Sequence, residues 1–390
     1  METRKLYYED CHLTEFTARV TGCRPAEKGY HILLDATAFY PEGGGQACDT
    51  GTLGEARVTD VREKDGEILH LCDRPQKEGE TVTGKISWDR RFDLMQQHSG
   101  EHIVSGIIHR RYGWHNVGFH MGADTITIDF DGPVPEEALG EIEAEANEAV
   151  FENLPIRCWY PEESELPGIP YRSKRALPWP VRIVEIPGYD ICACCGVHVK
   201  STGEIGSIRL LSCIKFRQGV RMEMFCGRRA LRDDRELLLQ NRQVSQALSA
   251  KPLETGAAAD RIVQALNDEK FRCSELRKRL FRMLAQQYRG QGNVFAEEDG
   301  LSSAELRKLA ELVSASSGGM ALTVTAGEQG CGFCIIGEAE PVSAFGRTLV
   351  KALGGRGGGR DGAFQGSLPV SCEEVRAYIA GSDFYNQNSQ

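Results

Sequence analysis

Two short runs constrain this chain more than anything else in it: His98-Ser99-Gly100-Glu101-His102 and Cys192-Ala193-Cys194-Cys195-Gly196-Val197-His198. On a helix, residues four apart share a face, so the first run aims two imidazoles at one point. The second run adds thiolates and a third imidazole. Imidazole with thiolate is a zinc-type ligand set. The runs lie far apart in the chain, so a tertiary fold, not a local finger, must bring them together. Cys194 alone repeats the four-residue offset from His198, with Cys192 and Cys195 as the alternatives. Four protein ligands would close a tetrahedral zinc, whereas hydrolytic zinc keeps a position open. Either one ligand is loose or the ion becomes five-coordinate.

Glu101 makes the first run His-x-x-Glu-His, which also matches the inverted zinc-peptidase signature. In that reading Glu101 is the general base for the metal-bound water. Such a peptidase takes a downstream carboxylate as its third ligand. Here the obvious downstream ligands are Cys194 and His198, which disfavours it. His109, His115 and His120 have no such partner spacing and read as structural.

Composition narrows the class. A chain of 390 residues predicts two to three domains. The N-terminal residues are charged without an apolar core, and no apolar run reaches membrane-spanning length. A cytoplasmic location and no membrane partner are therefore expected, with the 14 cysteines mostly reduced and buried. A net charge of −10 argues against coating nucleic acid by bulk charge. It leaves room for local basic faces, and Lys270 to Arg289 carries seven Lys or Arg against one acid, Glu275.

The fold class expected is α+β and multidomain. Residues 1–90 read as a small β-barrel of short β-branched strands, interrupted by Phe39-Tyr40-Pro41-Glu42-Gly43-Gly44-Gly45-Gln46. Three consecutive glycines permit positive φ and close backbone approach. Residues 91–227 read as an α/β core carrying both ligand runs. It has a helix from Arg91 to Tyr112 with Phe92, Met95, Ile103, Ile107 and Ile108 near one face. A second helix runs from Pro135 to Asn153. Residues 228–292 read as a helical hairpin, in which Ile262, Leu266, Cys273, Leu276, Leu280 and Met283 keep 4-3 spacing. Residues 293–390 read as a C-terminal α/β domain with the glycine run Gly354 to Ser367. Within it Gly357-x-Gly359-x-x-Gly362 is no dinucleotide fingerprint, because a helix-like segment precedes it. Cys331-Gly-Phe-Cys334 lies in an apolar strand-like stretch and reads as core.

Together these motifs resemble the editing half of alanyl-tRNA synthetase. They are Phe39-Tyr40-Pro41-x-Gly-Gly-Gly-Gln46 with Asp49-Thr50-Gly51, His98-x3-His102, Cys194-x3-His198 with Val199, Thr202-Gly-Glu-Ile-Gly206, and the C-terminal glycine run. The match is to the free-standing alanyl-tRNA editing proteins of the long form. Only about 38 residues precede the glycine motif, so the resemblance implies a deacylase acting in trans. It implies zinc (Zn2+) held by His98, His102, Cys194 and His198. It also implies hydrolysis of the ester joining a wrong amino acid, serine and also glycine, to tRNA(Ala). The family's usual Cys-Gly-Gly-Thr-His stands here as Cys194-Cys195-Gly196-Val197-His198, which puts any role for that threonine in doubt. The competing function class is a non-catalytic RNA-binding protein with a structural zinc.

An alanine pocket cannot strongly reject serine, since adding a hydroxyl to the ligand gives only ~10²-fold discrimination. A second site that hydrogen-bonds the hydroxyl rejects alanine by roughly 10⁴–10⁵-fold. Thr37 is the expected reader of that hydroxyl. Gly43, Gly44, Gly45 and Gln46 are expected to approach the terminal adenosine. Glu101 is the catalytic candidate, and Gly357, Gly358, Gly359 and Arg360 are expected on the RNA body. A homodimer through the C-terminal part is a further expectation.

Overall fold

The computed structural model describes residues 3–122, 125–173, 177–328 and 330–385. The chain divides into two compact units, Met1–Val244 and Ser245–Gln390.

The first unit opens with six strands: β1 (Glu15–Ala26), β2 (Gly29–Leu34), β3 (Gly51–Leu53), β4 (Ala56–Lys64), β5 (Glu67–Cys72) and β6 (Thr81–Ile86). They close into a barrel in the order β1-β2-β5-β4-β3-β6. The alternation that predicts strands also fills the interior: Phe16, Ala18 and Val20 of β1 point in while their neighbours face solvent. The long excursion between β2 and β3 carries the glycine motif.

Helix α1 (Trp88–Tyr112) follows at once. Its sequence suggests one apolar face, yet every residue from Leu94 to Ile108 is buried. The helix is enclosed because the barrel, strand β7 (Asn116–Met121), strand β8 (Ile126–Phe130) and helix α2 (Leu139–Glu152) all feed one core. Beyond α2 come β9 (Arg157–Trp159), β10 (Ile183–Ile186) and β11 (Asp190–Ala193), a three-stranded antiparallel sheet. Strands β12 (Ile208–Phe216) and β13 (Gly219–Cys226) complete a four-stranded sheet in the order β12-β13-β8-β7. Residues 1–90 and 91–227 thus share one compact unit and one core, running from Ile32 and Ile68 through Ile103 and Ile107 to Ile128 and Met222.

A glycine inside a helix costs stability relative to alanine, and Gly106 shows what is gained. A Cβ there would stand 2.2 Å from the Tyr189 carbonyl oxygen and 3.0 Å from the Asp190 Cβ. The bare backbone lets the turn into β11 press against α1.

Helix α3 (Gly227–Ala247) crosses into the second unit. That unit holds α4 (Thr255–Gln287), β14 (Gly292–Glu297), α5 (Ser303–Ser317), β15 (Gly318–Gly327) and β16 (Gly330–Ile336). It ends with α6 (Ala339–Ala352), β17 (Arg356–Arg360), β18 (Ala363–Leu368) and α7 (Cys372–Ala380). Its sheet order is β14-β15-β16-β18-β17. Capping boxes at Ser302/Glu305 and Ser371/Glu374 start α5 and α7. The 4-3 stripe on α4 is exposed at Ile262, Leu266, Leu276, Leu280 and Met283, while Phe281 and Ala285 pack against Leu309 and Val313 of α5. Cys331 and Cys334 are buried in β16.

One buried ion pair locks the glycine excursion to α1. Arg91 and Asp49 are 0% and 1% exposed at the side chain. The guanidinium also donates to the carbonyls of Ala38 (2.6 Å) and Cys11 (3.1 Å), and Asp49 accepts the Tyr40 N–H at 2.6 Å. Removing one partner strands a charge in the core, so Asp49→Ala is expected to lower the unfolding free energy by roughly 3–5 kcal/mol. Urea denaturation checks this, with the exposed Glu67→Ala (a surface partner of Arg24) changing stability far less.

Candidate metal centre

Four side chains from two segments meet beneath the glycine excursion. One ligating atom each from His98, His102, Cys194 and His198 lies within 4.8 Å of every other. His98 and His102 stand one turn apart on α1, their ring centroids 5.3 Å apart. The turn after β11 brings Cys194 and then His198, whose ring lies 4.5 Å from that of His98 and 4.7 Å from that of His102. All four residues apart from Cys194 are 2–3% exposed, and Cys194 is half-buried. The structure selects Cys194 from the three neighbouring cysteines. Cys192 faces His102 and Asp190, and Cys195 is exposed at the rim.

Each imidazole is held by its far nitrogen. The Val197 N–H donates to Gln46 Oε1 at 3.1 Å, so that atom accepts, and His98 Nδ1–H must donate to it at 2.8 Å. His102 Nδ1–H donates to Asp190 Oδ2 at 2.8 Å, and the Asp190 carboxylate takes a two-pronged bond from Arg172 at 2.7 and 2.9 Å. His198 Nδ1 meets Ser99 Oγ at 3.2 Å, and the same hydroxyl accepts the Val199 N–H. These bonds leave the Nε2 atoms for the centre. His198 Nε2 is buried with no hydrogen-bond partner, as a metal ligand without its ion would be. Orientation of ligating histidines by outer carboxylates and amides is the usual arrangement.

Electrostatics favour the same use. Burial would raise the Cys194 thiol, but the charge of His98 and the hydrogen bonds of His98 and His102 to its sulfur outweigh it and hold the thiol well below its ordinary range. Burial, reinforced by His98, pushes His198 down to about 3, so it stays neutral. Burial would also raise the Asp190 carboxyl, but His102 and Arg172 outweigh it and keep it low. A thiolate and the neutral His198 suit a transition ion of the zinc kind, and His102, which burial would lower but Asp190 and Cys194 hold well above its ordinary range, would give up its proton on binding one.

Beside the cluster opens a cavity of about 830 Å³, lined among others by Gly44, Gly45, Glu101, Asn116, Phe119 and Tyr160. Gly43 and Gln46 exchange two backbone bonds at 3.0 and 2.9 Å, which closes a two-residue turn over Gly44 (φ +61°) and Gly45 (φ +84°). A Cβ on Gly44 would sit 3.0 Å from Cys195 Sγ, and one on Gly45 2.8 Å from the Phe119 ring. The turn therefore brings bare backbone to the cavity wall. Glu101 lies at the same wall. Its Oε1 accepts from Ser105 at 2.6 Å and from Asn116, and its Oε2 is 4.0 Å from His102 Nε2.

Not every expected site residue arrives there. Thr37 is fully buried in the barrel region and does not line the cavity. Burial pushes His70 down to about 4, so it is neutral. Its Nδ1–H donates to the Ile32 carbonyl, its Nε2 accepts the Thr37 hydroxyl at 2.8 Å, and Thr37 Oγ1 accepts the Phe39 N–H. Gly357, Gly358, Gly359 and Arg360 lie in the second unit. There the glycine run forms a hairpin rather than an irregular loop, because Asp361-Gly362 makes its two-residue turn. All five residues of its edge strand β17 are exposed.

Sequence reasoning missed Asp190, Arg172, Ser99 and Asn116. Asp190 carries a legible signal, since Asp190, Cys192 and Cys194 recur at the two-residue period that places strand residues on one face. The others come from elements whose approach only the fold sets.

Residues 181–222 match the family described as threonyl and alanyl tRNA synthetase second additional domain, and residues 3–90 match tRNA synthetases class II (A). The first match carries Cys194 and His198, the second the glycine turn. The chain is 30% identical over 397 residues to the alanyl-tRNA editing protein AlaX-L of Pyrococcus horikoshii, covering 95% of this chain and 96% of that one. It belongs to the alanyl-tRNA editing protein family. The editing protein Aarsd1-A of Xenopus laevis is 28% identical, with 92% of each chain covered. The alanine–tRNA ligase of Ignicoccus hospitalis is 34% identical over 71% of this chain. The chain spans 32% of that ligase and 42% of the ligase of Pyrococcus furiosus.

The Val197 backbone N–H supplies the bond to Gln46 while its side chain joins the core. Among the described residues no helix is long and apolar enough to cross a membrane. Asp190→Ala frees the His102 ring to rotate. It is expected to weaken binding of a divalent transition ion by roughly 10–100-fold, measured by competition with a chromophoric chelator.

Proposed function

We propose that this chain is a hydrolase that releases a wrongly attached amino acid, serine and also glycine, from tRNA(Ala) in trans. The observation that carries this reading is a thiolate–imidazole cluster opening onto a cavity walled by a glycine turn, in a chain that aligns end to end with an alanyl-tRNA editing protein. His98, His102, Cys194 and His198 would hold zinc. Bound there, the ion supplies Lewis-acid polarisation and charge stabilisation for cleavage of an ester.

The protein's own groups do the remaining work. The ester of a ribose hydroxyl is labile, so positioning contributes much of the rate. The backbone of Gly44 and Gly45 receives the terminal adenosine at the cavity wall. Glu101, with Oε1 fixed by Ser105 and Asn116, keeps Oε2 toward the cavity and orients the attacking water. Water adds to the ester carbonyl, the ribose oxygen leaves with a proton, and free amino acid and tRNA result.

We read residues 1–90 and 91–227 as the hydrolytic part, 228–292 as a helical linker and 293–390 as the part that holds RNA. The exposed glycine strand, with Arg360 at its end, lets an RNA backbone approach closely. A homodimer through the C-terminal part and a cytoplasmic site of action belong to the same reading.

His98→Ala is expected to abolish serine release from seryl-tRNA(Ala) while the circular dichroism spectrum stays that of the wild type. Full activity in this variant would overturn the proposal. Thr37 lies outside the cavity with its hydroxyl on His70, so it can read the serine hydroxyl only by leaving that bond and turning into the cavity. Thr37→Val is therefore expected to lower kcat/KM for seryl-tRNA far more than for glycyl-tRNA, which has no hydroxyl to lose; equal losses would remove Thr37 from substrate recognition.

A further inference from the structure

The turn that carries two of the four ligands has its three leading carbonyls captured. Arg182 Nη1 donates to the carbonyl of Cys194 at 3.0 Å and to that of Gly196 at 2.8 Å. The Tyr8 hydroxyl donates to the carbonyl between them, that of Cys195, at 2.6 Å. The Arg182 guanidinium lies over the Tyr8 ring, 4.5 Å from its centroid, so each donor braces the other. Arg182 is buried, at 9% exposure.

A trans peptide is planar, with its C=O and N–H pointing opposite ways. Fixing one end of the plane therefore fixes the other. The Cys195–Gly196 peptide has its carbonyl on Tyr8 and its N–H on Cys194 Sγ at 3.3 Å. The Gly196–Val197 peptide has its carbonyl on Arg182 and its N–H on Gln46 Oε1, the atom that also holds His98. Two adjacent peptide planes thus run from the Tyr8–Arg182 pair to two ligands, the thiolate of Cys194 and, through Gln46, the ring of His98.

We propose that Arg182 and Tyr8 are positioning residues for the metal centre: a carbonyl clamp that presets the Cys194–Val197 turn for the ion. This rests on the reading that the cluster holds a metal. The clamp touches no ligand atom directly and acts through the backbone of the turn and, toward His98, through the Gln46 side chain. Arg suits the task because the two in-plane hydrogens of Nη1 reach two carbonyls while the flat guanidinium lies over the Tyr8 ring, which a lysine ammonium on a flexible stem does less well.

The test uses the full chain stripped of metal by a chelator and titrated with Zn2+ against a chromophoric competitor. In parallel, Co2+ reports the thiolate bond through its charge-transfer absorption. Arg182→Met is expected to raise the metal dissociation constant roughly 10–100-fold. Tyr8→Phe, which keeps the ring and drops one hydrogen bond, is expected to raise it roughly two- to tenfold. Both should weaken or shift the Co2+–thiolate band, and Arg182→Lys should recover part of the loss. Tyr8→Phe should leave the melting temperature of the metal-free protein unchanged, and it carries the test if Arg182→Met does not fold. Unaltered affinity and spectrum in the variants, or a lower metal-free melting temperature with unaltered affinity, overturns the clamp alone. A wild-type chain that takes up neither ion overturns the clamp and the metal reading together.

Discussion

A helix enclosed on every side can carry polar groups only where each finds a partner, and α1 is such a helix. Leaving a buried polar group unpaired costs more than pairing it returns. Hence several of the buried polar side chains on α1 fix the element that satisfies them, although Gln96 Oε1 itself finds no partner among the described residues. Arg91 holds the glycine excursion through Asp49, Gln97 exchanges two bonds with the backbone of Cys226, Gln96 reaches the carbonyl of Glu204, and His102 holds Asp190. The barrel, the sheets and the ligand turn are thereby placed by the demands of one helix.

The same logic explains why the cluster is so closely built. His98 and His102 gain their orientation from opposite directions, Gln46 out of the glycine turn and Asp190 out of β11. Three segments distant in sequence must be in place before the four ligating atoms converge. Gln46 stands in the motif read as substrate-binding, yet its side chain serves the metal centre. Its backbone at the same time closes the turn that lines the cavity. Cavity wall and cluster are thus joined through one short turn. At Cys195 and Val197 the contacts that hold the turn belong to the backbone.

Much of the local structure was legible in the residues. The short β-branched stretches within residues 1–90 read as strands and are strands, and the His-x3-His and Cys-x3-His spacings picked out the residues that do converge. Periodicity placed Phe92, Met95, Ile103, Ile107 and Ile108 near one face of α1 and gave no sign of what surrounds His98, Glu101 and His102. They are buried and satisfied by distant partners. The strand pairing of the glycine run near the C-terminus was not legible, since glycine carries no side chain to signal a strand. Its Asp361-Gly362 turn and the pairing with β18 make it a hairpin.

By itself the sequence determined the chemistry on offer, namely which side chains could ligate, at what helical or strand spacing, and where bare backbone was available. Those properties are local, and spacing along a regular element is enough to read them. Only the tertiary structure decided which cysteine joins the imidazoles, that Thr37 spends its hydroxyl on His70, and that Asp190, Arg172 and Ser99 set the rings. Such choices depend on approach between distant segments. That approach is governed by packing and by the need to satisfy buried polar groups, and neither is written in the order of residues within a single run.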